Sequence, residues 1–129
     1  MFKQKLVKKF YIFTKSYGID TCGVCKDDFT AITFVDKDTS FMVYVVFYNN
    51  KTDDVEIQIK KSVNKNYAED LLLREMNRLN NEYLSVAFLL ESGNVISTKS
   101  FIQANGNLDI VLNKLAADIE AAKMEFKHF

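Results

Sequence analysis

Hydrophobic positions along this chain change their period in a definite order, and each change marks an element. Phe2, Leu6, Phe10, Phe13 and Tyr17 recur at steps of three and four, with Lys3, Lys5, Lys8, Lys9 and Lys15 between them. That spacing predicts an amphipathic helix over residues 2–17. Gly18 closes it, because a glycine just past the last periodic residue enters the left-handed region without a Cβ clash.

The next apolar runs are strand-like. Residues 30–36 (TAITFVD), 41–48 (FMVYVVFY) and 54–63 (DVEIQIKKSV) are rich in β-branched and aromatic side chains and are joined by short polar loops, the signature of an antiparallel meander. In the third run Val55, Ile57 and Ile59 alternate with Glu56, Gln58 and Lys60, so one face is buried and the other wet. The middle run differs: Phe41, Val43, Val45 and Phe47 point one way, Met42, Tyr44, Val46 and Tyr48 the other, and both faces ask for cover.

A second helix is expected to begin near Asn66, with Glu69 completing an N-x-x-E capping box. Its stripe is Ala68, Leu72, Met76, Leu79 and Tyr83, widened by Leu71 and Leu73. Residues 84–91 and 95–104 form a hairpin around Ser92-Gly93-Asn94, which supplies the positive φ of a tight turn. A last helix starts near Leu108 and carries Val111, Leu112, Leu115, Ile119, Ala122 and Phe126 on one face. The order α-βββ-α-ββ-α predicts an α+β fold, a single domain over residues 1–129 with an antiparallel sheet of about five strands.

Composition sharpens this in two respects. A chain of 129 residues, 48% apolar with eleven Phe and six Tyr, removes roughly two-thirds of its unfolded surface from water and needs neither disulfide nor metal to fold. Seventeen basic residues balance seventeen acidic ones, so no global field steers the chain to nucleic acid or anionic lipid, and a nucleic-acid partner is disfavoured. Lysines break every apolar run at the N-terminus, and the run 41–48 is far short of the about 20 residues of a membrane span. With only two cysteines, the chain reads as cytoplasmic.

The element order, together with the stretch Leu71-Leu72-Leu73-Arg74-Glu75-Met76-Asn77-Arg78-Leu79-Asn80 leading into Val86-Ala87-Phe88-Leu89-Leu90-Glu91-Ser92-Gly93-Asn94-Val95, carries a resemblance. Over residues 30–125 the chain resembles the YbjN-like proteins, described as bacterial sensory transduction regulators, and the type III secretion chaperone-like fold. The resemblance implies this fold and a regulatory or chaperone-like role. It implies no catalytic residue.

Candidate chemistry is sparse. Cys22-x-x-Cys25 has the spacing of half a zinc site or of a dithiol pair, but the only further soft ligand is His128 beside the chain end, so no metal or other cofactor is expected. No catalytic residue is assigned and an enzyme is not expected: one terminal His, dispersed glycines and loop carboxylates such as Asp27, Asp28, Asp36, Asp38, Asp53 and Asp54 give no catalytic constellation. The remaining candidates are surfaces. Met42, Tyr44, Val46 and Tyr48 would form an apolar protein-binding patch if the helices leave that face uncovered, with homodimerisation through the same surface. Lys5, Lys8 and Lys9 on the first helix would serve an alternative, a small nucleic-acid or anionic-surface binder. The reading favoured is a non-enzymatic protein-binding module.

Overall fold

The computed structural model describes residues 4–64 and 66–129. It runs α1 (Lys5–Ser16), β1 (Cys22–Cys25), β2 (Phe29–Val35), β3 (Met42–Tyr48), β4 (Asp54–Ser62), α2 (Glu69–Glu82), β5 (Ala87–Glu91), β6 (Val95–Gln103) and α3 (Leu108–Phe126). The fold is α+β, with the expected order of helices and of the main strands. The sheet, however, has six strands rather than five, ordered β1-β2-β3-β4-β6-β5 and antiparallel throughout. The added strand is β1, the Cys22-Gly23-Val24-Cys25 segment, which pairs with β2.

All three helices lie on one face of this sheet. Phe10 of α1 meets Phe47 of β3 with ring centroids 5.3 Å apart, and Phe126 of α3 meets both Phe41 and Phe88 at 6.0 Å. Helix α2 adds Leu72, Met76 and Leu79, all fully buried. Beneath them the sheet contributes Val43, Val45 and Phe47 from β3 and Val55, Ile57 and Ile59 from β4, each without exposed surface. One core, a layer of helices on a layer of sheet, holds the fold together.

Several local expectations are corrected. No capping box forms at Asn66: α2 begins at Glu69 with Ala68 at its N-cap, and the Asn66 backbone amide instead donates to the Asn64 side chain at 3.0 Å. Residues just before the helix are spent on a turn, and Glu69 and Asp70 in its first turn balance the dipole in place of a cap. Leu71 and Leu73 do not widen the buried stripe; they are 45% and 50% exposed, because a helix resting on the end of a sheet buries only a narrow face. Helix α1 starts at Lys5, and the expectation for Phe2 and Lys3 lies outside the described residues. Its buried stripe is Leu6, Val7, Phe10 and Thr14, while Tyr17 is exposed. The turns hold: Gly18 closes α1 at φ 66°, and Gly93 and Asn94 make the β5–β6 turn at φ 75° and 58°.

Sheet edges are treated unequally. On β5 the Asn80 side chain of α2 both donates to the Phe88 carbonyl (2.8 Å) and accepts from its amide (2.6 Å), occupying the place of a neighbouring strand. The opposite edge, β1, is exposed along its whole length.

Candidate functional site

The face turned away from the helices is the distinctive surface of the molecule. Strand register arranges its side chains in rows. One row crosses the sheet as Val24, Ala31, Val46, Glu56 and Phe101; the next as Cys22, Thr33, Tyr44, Gln58, Lys99 and Ala87; the third as Val35, Met42, Lys60, Ser97 and Leu89. The rows change character from left to right. Over β1 to β3 they carry no charge and are mostly apolar or aromatic, and over β4 and β6 they include the charges of Glu56, Lys60 and Lys99.

Met42, Tyr44, Val46 and Tyr48 therefore stand together on this open face, Met42 39% exposed and the others half-buried by their cross-strand neighbours. Phe29 lies beside Tyr48, ring centroids 6.4 Å apart, and Phe101 is 63% exposed beyond Glu56. Tyr and Met supply broad, adaptable apolar contact, and a contiguous patch of such residues is the usual mark of an interaction surface.

The charged half has its own order. Glu56 is only 6% exposed although no helix covers it, because Tyr48, Gln58 and Phe101 close over it. Gln58 donates to one carboxylate oxygen, and the Tyr48 hydroxyl approaches the other at 3.5 Å. Burial, together with the neighbouring Glu56 charge, pushes the Tyr48 phenol above its ordinary range. Lys99 reaches Glu56 only at 4.0 Å and lies 5.7 Å from the Phe101 ring centre. Lys60 pairs with Glu91 at 3.0 Å and lies 5.1 Å from the Tyr44 ring. Both lysines thus border the aromatic patch with their stems along it and their charge at its rim.

Cys22 and Cys25 are not brought together. Register places Cys22 on the open face beside Thr33 and Cys25 on the opposite face beside Thr30. Side chains three apart in a strand point to opposite sides, and their Cα atoms stand about 10 Å apart, beyond the reach of a disulfide and of a shared metal ion. Both thiols are free and exposed. No group of three or more His, Cys, Asp or Glu among the described residues is placed to hold a metal ion.

Three of the loop carboxylates are tied into the structure, two of them in their own turns. Asp36 accepts from the Thr39 amide (3.1 Å) and hydroxyl (2.6 Å), Asp54 accepts from Thr52 (2.6 Å) and Asn50 (3.0 Å), and Asp53 accepts from Gln4 (2.6 Å). On α1, Lys5, Lys8 and Lys9 are exposed, and Lys9 is drawn onto the Gly106 carbonyl at 3.3 Å rather than converging with the other two.

Two buried acids went unread in the sequence: Glu56, expected on a wet face, and Asp118. Asp118 of α3 is 1% exposed; Ser100 of β6 donates to it and Lys114 pairs with it at 3.0 Å. It occupies the 111-115-118-122-126 stripe of α3 between Leu115 and Ala122, and that position alone was the available signal. Ser100 is 4% exposed in the same seam, which leaves no route for a substrate.

Comparison with family models, with curated proteins and with solved structures finds no match to this chain. No helix among the described residues is long and apolar enough to cross a membrane.

Proposed function

We propose that this chain is a non-enzymatic, cytoplasmic protein-binding module, with a chaperone-like or regulatory outcome, that works through the open face of its sheet. The observation that supports this reading is the coexistence, on one sheet, of a face packed under the helices and one without helix cover bearing Met42, Tyr44, Val46 and Tyr48. The resemblance to YbjN-like and secretion-chaperone-like proteins agrees with it. Binding would bury the aromatic half together with Lys60 beside Tyr44 and leave Glu91 at the rim, where charges set orientation more than affinity.

The test is partner association measured with wild type and Tyr44→Glu at low and high salt. Association insensitive to salt and abolished by Tyr44→Glu is expected, with an unchanged melt. Association lost when Lys5, Lys8 and Lys9 become Ala, and screened by salt, would transfer the function to α1.

A further inference from the structure

We propose that a second copy of this chain covers the open face, as a two-fold dimer packed sheet on sheet and centred on Tyr44; the inference rests on reading that face as a protein-binding surface. The argument is one of symmetry. In an isologous contact every residue on one side of the axis meets, on the other copy, the residue equally far on the opposite side. An axis crossing the strands along the Tyr44–Gln58 row therefore lays the Val46–Glu56 row of one copy against the Met42–Lys60 row of the other.

Those two rows complement each other on β2, β3 and β4, while on β6 Lys99 lies on the axis row beside its own copy, with Phe101 meeting Ser97. On β3, Val46 meets Met42, apolar against apolar, about Tyr44 at the centre. On β2, Ala31 meets Val35 about Thr33. On β4 the order Glu56, Gln58, Lys60 reverses its charge about Gln58, so Glu56 of each copy meets Lys60 of the other, twice per dimer. The same rotation sets the strands of the two sheets antiparallel and nearly aligned, the ordinary geometry of sheet packing.

The state of Glu56 fits this partner. Its carboxylate is almost wholly desolvated, yet among the described residues the cation that pairs with it is Lys99, at 4.0 Å, with neutral donors doing the rest. A buried carboxylate is costly unless paired, and the opposing lysine supplies the second cation.

Sedimentation equilibrium of the full chain, from micromolar concentration upward, tests it. Wild type is expected to dimerise, and Tyr44→Glu, Glu56→Lys and Lys60→Glu are each expected to raise the dimer dissociation constant by about 100-fold or more, because each places a desolvated or like charge at the contact. Mixing Glu56→Lys with Lys60→Glu chains should restore association as a heterodimer, since each lysine then meets a glutamate. Should Glu56→Lys fail to fold, the open-face pair Met42→Lys and Val46→Glu gives the same mixing test. A wild type that stays monomeric overturns the dimer, and if Tyr44→Glu still abolishes capture of another protein, the binding function survives without it. A dimer indifferent to Tyr44→Glu, or one that no mixture restores, overturns the two-fold arrangement.

Discussion

Val45 and Tyr44 are neighbours on β3 and opposites in environment. Val45 points into the helix-covered layer with no exposed surface, while Tyr44 points to the face that no helix reaches and shares it with Lys60 and Thr33. Both faces of β3 are hydrophobic, so hydrophobicity alone does not separate core from interface. What separates them is where the connections carry the helices. With α1, α2 and α3 all on one side, an apolar strand in mid-sheet must leave half its apolar surface outside. Apolar content at such a position thus reports two demands, one met within the chain and one left for contact outside it.

The largest difference between the faces comes from placing the same charge on each. Val45→Glu puts a carboxylate among Phe47, Ile32 and Ile57 with no partner, a cost of several kcal/mol that should unfold the domain. Tyr44→Glu, one residue away, should leave the melting temperature nearly unchanged, its carboxylate lying beside Lys60. Thermal denaturation of both variants checks the contrast, and a collapse of Tyr44→Glu would return this face to the core.

A second contrast lies within three consecutive leucines of α2. Leu72→Ala opens a cavity where the side chain is fully buried and should cost about 2–5 kcal/mol, whereas Leu71→Ala and Leu73→Ala, at sites half in water, should stay within about 0.5 kcal/mol. Denaturant titration of the three separates them. Equal losses would mean that the helix buries the broad stripe the sequence suggested.

Legibility in the sequence followed the same division. Long periodic segments announced themselves, because helix and strand periods over many residues have few rival explanations. Strand β1 did not: four exposed residues with a glycine among them hold no pattern, and their strand conformation comes from pairing with β2, a long-range fact. The cap of α2 failed for a related reason, since Asn66 was free to join a turn instead. The open-face residues were read in the right pairing pattern, but whether a helix would cover them depended on chain connections that no local pattern records. Asp118 was hidden because an apolar stripe is scanned for apolar residues, and a buried acid interrupting it reads as a gap.

The two sheet edges sharpen the comparison at a smaller scale. Asn80→Ala would strip both bonds from the Phe88 backbone and leave its amide and carbonyl at a partly buried edge, a loss of about 1–3 kcal/mol. Because β1 has no such guard, hydrogen exchange should show the outward-pointing β1 amides unprotected in wild type and the Phe88 amide of β5 joining them only in Asn80→Ala. Protection of the Phe88 amide retained in the variant would mean that helix packing alone shields that edge.

The smallest effect expected is a pH dependence on the covered side. The Tyr83 hydroxyl donates to Glu125 of α3 at 2.6 Å, and that bond, aided by burial, pushes the phenol up from 10.0 to about 12. The folded chain therefore keeps this proton in a range where the unfolded chain has lost it. Below pH 10 the contribution to stability is fully present, and it falls away as pH rises from 10 through about 12. Tyr83→Phe removes both the bond and the proton, so the variant should be less stable at neutral pH by about 1 kcal/mol, and the gap should close through that alkaline window. Stability curves of the two proteins measured from pH 8 to pH 12 decide the matter. Parallel curves would mean that Tyr83 titrates alike in both states and that its bond to Glu125 does not persist in solution. Tyr48→Phe offers the control from the open face: its phenol is also raised, but by burial first and by Glu56 second, so any alkaline loss there should change when a partner covers the sheet.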